Sequence, residues 1–196
     1  LDTTLFSPRD RRKAREGLDI PLDSKVILFV TGTFKDVRKG ALLLQQAIAG
    51  IHDVENMLLV SVGGADPAVS MGVPHKSLAI VDDDQRMALA FSAADLFVIP
   101  STQDNLPNTV VEAMSCGTPA VGFAVGGVPE MIRPGITGLL AQPGDASDFG
   151  RAISSLLNQP ELLAKMSANC RRIAVEEYGV AMQAFRYTEC YRMVLG

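Results

Sequence analysis

Two hydrophobic periods alternate along the chain. Val26-Ile27-Leu28-Phe29-Val30 is an unbroken apolar run, short enough for a strand and lacking the polar alternation of a half-exposed one. It predicts a strand covered on both faces. Ala41, Leu44, Ile48 and Ile51 then recur at helical spacing. Met57-Leu58-Leu59-Val60, ended by Gly63-Gly64, reads as a second strand, and Leu78 to Val81 as a weaker one. A helix from about Asp84 to Ala93 leads into the strand Leu96-Phe97-Val98-Ile99, closed by Pro100. A helix from about Asn108 to Ser115 stops at Gly117, and a short strand follows Pro119. Strand and helix in alternation require crossover connections, hence an α/β fold: a doubly wound parallel sheet with helices on both faces. Three apolar stripes at helical spacing follow, Phe149-Ala152-Ile153-Leu156-Leu157, Leu163-Met166-Cys170-Ile173 and Ala181-Ala184-Phe185-Thr188-Tyr191. The C-terminus is therefore helical. Near the start, Ser7 suits an N-cap, Pro8 the first helical position, Asp10 a Ser-x-x-Asp box and Gly17 a stop. The cations Arg9, Arg11, Arg12, Lys13 and Arg15 on that helix read as a solvated face.

Composition narrows the class. With 196 residues, 47% of them apolar and 20% charged, the chain makes one ordinary domain and is not a disordered polymer. A net charge of −4 offers no basic footprint for nucleic acid. No apolar run approaches the ~18 residues of a membrane span, so membrane contact is not indicated. Cys116, Cys170 and Cys190 have no metal-ligand spacing and fall on predicted helices, which suggests buried thiols in a reducing compartment. The opening Leu1-Asp2-Thr3-Thr4 lacks the apolar core of a signal peptide, so a cytoplasmic location is expected. His52 and His75 have no acid or cysteine at useful spacing and read as surface or loop residues.

Ligands of an open parallel sheet bind beyond the carboxyl ends of its strands. After the first strand comes Thr31-Gly32-Thr33-Phe34-Lys35-Asp36-Val37-Arg38-Lys39-Gly40. Gly32 permits close backbone approach, and a helix N-terminus with Lys39 beside it suits a phosphate; a solvated turn with exposed lysines fits these residues equally well. After Ile99 comes Pro100 to Pro119. There Pro107 fixes a helix entry and leaves the amides of Asn108, Thr109 and Val110 unpaired. Asp104 in the loop and Glu112 on the helix are acceptors suited to sugar hydroxyls, although a turn aspartate and an exposed helix glutamate would look the same. Asp82-Asp83-Asp84 resembles a metal-binding Asp-x-Asp, but its place just before a helix favours capping.

The spacing from Asp104 to Glu112 resembles the Glu-x7-Glu signature of the group 1 glycosyltransferases (family 4), enzymes of the two-domain, Rossmann-like GT-B fold. The resemblance extends through Ser92 to Ser101, Lys39-Gly40, Glu112-Ala113-Met114-Ser115-Cys116-Gly117-Thr118-Pro119, Gly126-Gly127-Val128-Pro129-Glu130 and Gly135-Ile136-Thr137-Gly138, covering about residues 25–145. It implies a retaining transferase that uses a nucleotide-diphosphate sugar, in polysaccharide or glycoconjugate biosynthesis, without a metal or other cofactor. Lys39, Asp104 and Glu112 would be the catalytic set. Glu112 would hold the ribose diol, Asp104 with Asn105, Leu106 and Pro107 the sugar, and the Asn108 and Thr109 amides with Lys39 the diphosphate. Gly32, Thr33 and Arg38 would border the site, and the base would lie near Ile80 and Val81.

The resemblance also implies that residues 1–196 form only the donor-binding domain. Residues 1–24 would be a lead-in after the interdomain linker, and residues 176–196 a helix returning to an acceptor domain that lies outside this chain. Phe185, Tyr187, Tyr191 and Met193 would then be uncovered, inviting self-association. Three positions depart from the family pattern. Asp104 stands for the usual Glu, one methylene shorter. Asn105-Leu106-Pro107 stands for Gly-Phe-Gly, with the proline removing a donor. Phe34 occupies the place of a common arginine, for which Lys35 or Arg38 could substitute. A GT-B sugar-nucleotide epimerase and a non-catalytic nucleotide-sugar-binding module are the competing readings. A dinucleotide-dependent oxidoreductase is disfavoured by the missing Gly-x-Gly-x-x-Gly.

Overall fold

The computed structural model describes residues 1–64, 71–79 and 83–195. Its elements are α1 (Arg11–Gly17), β1 (Lys25–Thr33), a 3₁₀ turn (Val37–Lys39), α2 (Ala41–Ala49), β2 (Met57–Gly64), β3 (His75–Ser77), α3 (Asp84–Ala93) and β4 (Leu96–Ile99). There follow α4 (Asn108–Ser115), β5 (Ala120–Phe123), α5 (Val128–Met131), β6 (Gly138–Ala141), α6 (Ala146–Leu157), α7 (Pro160–Tyr178) and α8 (Val180–Leu195). The strands form one parallel sheet in the order β3-β2-β1-β4-β5-β6, the doubly wound arrangement the alternation predicts.

The continuous apolar strands are explained by two cores, one on each face of the sheet. Val26, Leu28, Leu58, Val60 and Phe97 point into the first, which α1, α3, α4 and α7 cover through residues such as Ala14, Phe91, Met114 and Cys170. Ile27, Phe29, Leu59, Leu96 and Val98 point into the second, covered by α2 and α6 through Leu44, Ile48, Phe149 and Ile153. Successive residues of one strand thus face opposite layers, and neither can be polar.

Several expectations need correction. Asp10, not Ser7, caps α1, its carboxylate accepting from the Lys13 amide at 2.9 Å. Arg15 does not belong to a solvated face: it is buried and bonded to Asp95 at 2.8 Å. The third strand in sequence occupies His75–Ser77 and not Leu78 to Val81; Leu78 and Ala79 lie past its end, and Ile80 and Val81 lie outside the described residues. His75 is accordingly a strand residue, half-buried, with its Nε2 2.8 Å from Ser61 Oγ; burial holds its pKa below the ordinary value. The short strand β6 is not evident from the hydrophobic pattern because it starts at a glycine and holds only two large apolar residues. Cys116 and Cys170 are buried, with thiols pushed up to about 12 by desolvation, whereas Cys190 is exposed.

The stripe on α8 covers nothing: none of its residues is buried, and Phe185, Tyr187, Tyr191 and Met193 are each more than half exposed. The lead-in, by contrast, is tied down. Phe6 is buried edge-on against Phe91, and its carbonyl accepts from Ser115 Oγ and from Arg171 at 3.0 Å. Among the described residues no helix is long and apolar enough to cross a membrane.

Candidate functional site

The strand order reverses between β1 and β4, the point where an open α/β sheet leaves a crevice at its carboxyl edge. The chain leaving β1 first buries Phe34 edge-on against Phe29. This takes the position of the family arginine into the core. Asp36 then accepts a hydrogen bond from the Arg38 amide at 3.0 Å and caps the 3₁₀ turn. Gly40 closes the turn at φ +70°, and a Cβ there would lie 1.8 Å from the Pro100 carbonyl oxygen. Only glycine can therefore bring this turn onto the end of β4. The Arg38 carbonyl accepts from the Thr102 amide at 2.8 Å, fastening the two loops together. Lys39 is thereby set beside the β4 loop, with Nζ 3.1 Å from Asp104 Oδ2; the lysine side chain is 40% exposed and the aspartate 15%.

Pro107 is the N-cap of α4 and supplies no side-chain acceptor. The Val110 amide turns back to the Pro107 carbonyl at 3.0 Å, so it is not one of the unpaired donors the sequence suggested. The amides of Asn108 and Thr109 have no acceptor among the described residues. One turn further along, Glu112 is partly buried. Desolvation holds its carboxyl above the ordinary value of 4.5, and the like charge of Asp84 adds to the shift. Glu112 lines a cleft of about 640 Å³ together with Leu106, Asn108 and Val111 and with Tyr178, Gln183, Arg186 and Tyr187 from α7 and α8.

The candidate site residues thus fall into two groups, drawn from the loop after β1 and from the segment between β4 and the middle of α4. Lys39 and Asp104 meet directly, whereas Glu112 shares its cleft with Leu106 and Asn108, and no ion pair among the described residues joins it to Lys39. Gly32 and Thr33 are exposed at the tip of β1, and the space beyond Gly32 is open. Arg38 is engaged by Asp36 in a two-bonded fork (3.1 and 2.9 Å), which holds the Asp36 carboxyl below its usual range. Ile80 and Val81, proposed for the base, lie outside the described residues, as does Asp82. Asp83 caps α3 by accepting from the Gln85 amide at 2.9 Å, in keeping with the capping reading. In the sequence Gly40, Gly126 and Gly127 stand only as letters of the motifs that carry the resemblance. Their role is contact: a Cβ at Gly126 would lie 1.9 Å from the Asp104 carbonyl oxygen, and one at Gly127 2.0 Å from that of Asn105.

Comparison with known proteins bears on this geometry. The family model for glycosyl transferases group 1 matches residues 24–159. D-inositol 3-phosphate glycosyltransferase 2 of Catenulispora acidiphila is 32% identical over 186 residues, covering 86% of this chain and 43% of that protein. The chain thus spans less than half the length of this curated relative. Sucrose-phosphate synthase from Thermosynechococcus elongatus superposes with a TM-score of 0.83 at 28% identity, over 100% of this chain and 51% of that one. Anabaena HepE, solved in complex with UDP-glucose, shares the fold with a TM-score of 0.81 at 22% identity, over 97% of this chain and 56% of that one. With its six-stranded parallel sheet and its helical C-terminus, the chain belongs to the group 1 glycosyltransferases and corresponds to the C-terminal domain of their GT-B architecture.

Proposed function

We propose that this chain binds the nucleotide-diphosphate sugar of a retaining, metal-independent glycosyltransferase that serves polysaccharide or glycoconjugate synthesis in the cytoplasm. One observation carries the reading: an ammonium and a carboxylate meet beyond the carboxyl ends of β1 and β4, within the loop that opens α4 with two unspent amides. As the bond between the sugar and the diphosphate breaks, negative charge grows on the leaving oxygens. A preplaced lysine and two helix-terminal N–H groups stabilise that charge where it develops, and because they are already oriented they cost little reorganisation. Asp104, released from Lys39 when phosphate arrives, accepts from sugar hydroxyls; Glu112, as a carboxylate, accepts from a ribose diol. The base is assigned to the neighbourhood of Ile80 and Val81.

The acceptor is assigned to a second domain of a parent chain about twice as long, in line with the half-length coverage of the relatives. That domain would cover Phe185, Tyr187, Tyr191 and Met193 of α8; in its absence a second copy would be drawn to the same face. A thermal-shift panel with UDP-, GDP- and ADP-glucose tests donor binding. A ligand at 100 times its Kd adds about 2.7 kcal/mol of stability, so one of the three series should raise the melting temperature by several degrees. No shift with any of them overturns the reading.

A further inference from the structure

The loop that carries Asp104 is gripped from two sides, and the second grip has no assigned role. On one side stand Gly40 and Lys39. On the other, the turn after β5 presents two consecutive glycines, Gly126 at φ +51° and Gly127 at φ −88°. Gly127 needs no glycine for its dihedrals, since any residue adopts that backbone. What excludes a side chain is distance: a Cβ would stand 2.0 Å from the Asn105 carbonyl oxygen and 2.9 Å from Leu106 Cδ2. Gly126 repeats the arrangement one residue back, against the Asp104 carbonyl. The short Asp104 side chain reaches Lys39 at 3.1 Å from a backbone seated directly on this glycine pair.

The geometry points to Gly126 and Gly127 as positioning residues that set how far Asp104 extends toward the donor's sugar, and so govern sugar recognition separately from nucleotide recognition. This inference rests on the donor-site reading above. The α4 amides and the Lys39 backbone are fixed by α4 and by the Gly40 turn, so they stay in place when the glycine pair is altered; the Asp104–Leu106 backbone must move by roughly 1 Å or more to accept a Cβ. A misplacement of that size at a reacting centre can cost about 10²-fold.

The test is calorimetric titration of UDP and UDP-glucose, with the GDP and ADP pairs in parallel, into the parent chain, Gly127→Ala and Gly126→Ala. Gly17→Ala serves as control, because nothing lies within 4 Å of a Cβ there. The expected result is an affinity for the nucleotide sugar reduced about tenfold or more in both glycine variants, with that for the bare diphosphate within about twofold of the parent. The Gly17 variant should behave as the parent does. Equal losses for sugar and diphosphate, no loss in either, or variants too unstable to titrate would place these glycines in the fold alone and overturn the assignment. A parent chain that binds none of the six ligands would instead overturn the donor-site reading itself.

Discussion

The same two strands carry an ion pair at each end, and the two are built for different purposes. At the amino end, Arg15 and Asp95 meet at 2.8 Å with side-chain exposures of only 6% and 16%. Four of the five guanidinium N–H groups are spent, on the carbonyls of Ala93, Leu22 and Ser24 and on the carboxylate. Asp95 also accepts from the Val26 amide at 2.7 Å and from Arg11 at 2.9 Å. This network joins α1, the start of β1 and the start of β4 and leaves little to offer a ligand. At the carboxyl end, the Lys39 ammonium has a single hydrogen-bond partner among the described residues, Asp104, and its side chain is 40% exposed. Two of its ammonium protons remain available, as do the two amides at the start of α4. A satisfied pair staples a fold; an unsatisfied one in a crevice is poised to exchange its partner.

The largest contrast should come from breaking each pair in turn. Arg15→Ala strips three carbonyls of their donor and leaves Asp95 with only the half-exposed Arg11 as cation, and breaking a buried pair in this way costs about 3–5 kcal/mol. Urea denaturation should show a loss of that size, with donor affinity of the folded protein unchanged. Lys39→Ala should do the reverse. In the full-length parent it should lower turnover about 10²–10³-fold, the effect of removing one charge-stabilising donor. Its stability should shift by less than about 1 kcal/mol, as for other partly exposed pairs. Similar stability losses in the two variants would erase the distinction.

Glu112→Gln sharpens the comparison with a smaller effect. Burial holds the Glu112 carboxyl above its ordinary 4.5, so the fold favours the protonated acid. That contribution to stability is complete below about pH 4.5 and is lost as the pH rises through the higher folded value. Glutamine carries no such loss. The variant should therefore melt above the parent at pH 7, with the gap closing as the pH falls toward 4.5, while its affinity for the nucleotide sugar drops because one oxygen acceptor is replaced by a donor. A melting difference independent of pH would show that ionisation of Glu112 carries no cost.

The layer structure was legible in the sequence because burial on both faces demands unbroken apolar strands, and Val26–Val30 and Leu96–Ile99 meet that demand. The weak strand was misplaced because His75-Lys76-Ser77, on the sheet edge, is held by backbone pairing to β2 and not by side-chain burial. Arg15 looks solvated because charge alone does not reveal a ring of carbonyl acceptors contributed by Leu22 and Ser24 nearby and by the distant Ala93. Of the candidate site, Lys39 and Asp104 are legible as residue types beyond strand ends and Glu112 as an acid one turn into α4, since chemistry at the edge of a parallel sheet has few places to go. The backbone-to-backbone seats of Gly40, Gly126 and Gly127 are not, because a close approach is a property of two segments and leaves only a glycine in either one.

The central claim is that the carboxyl-end pair gives up its internal bond to hold a diphosphate. Calorimetric titration of UDP, GDP and ADP into the parent chain and into Lys39→Ala tests it most directly. The account predicts that at least one diphosphate binds the parent and binds the variant about tenfold more weakly or worse, with a shallower dependence on salt, as the loss of one phosphate-facing charge requires. Equal affinity and equal salt dependence in the two proteins would contradict it.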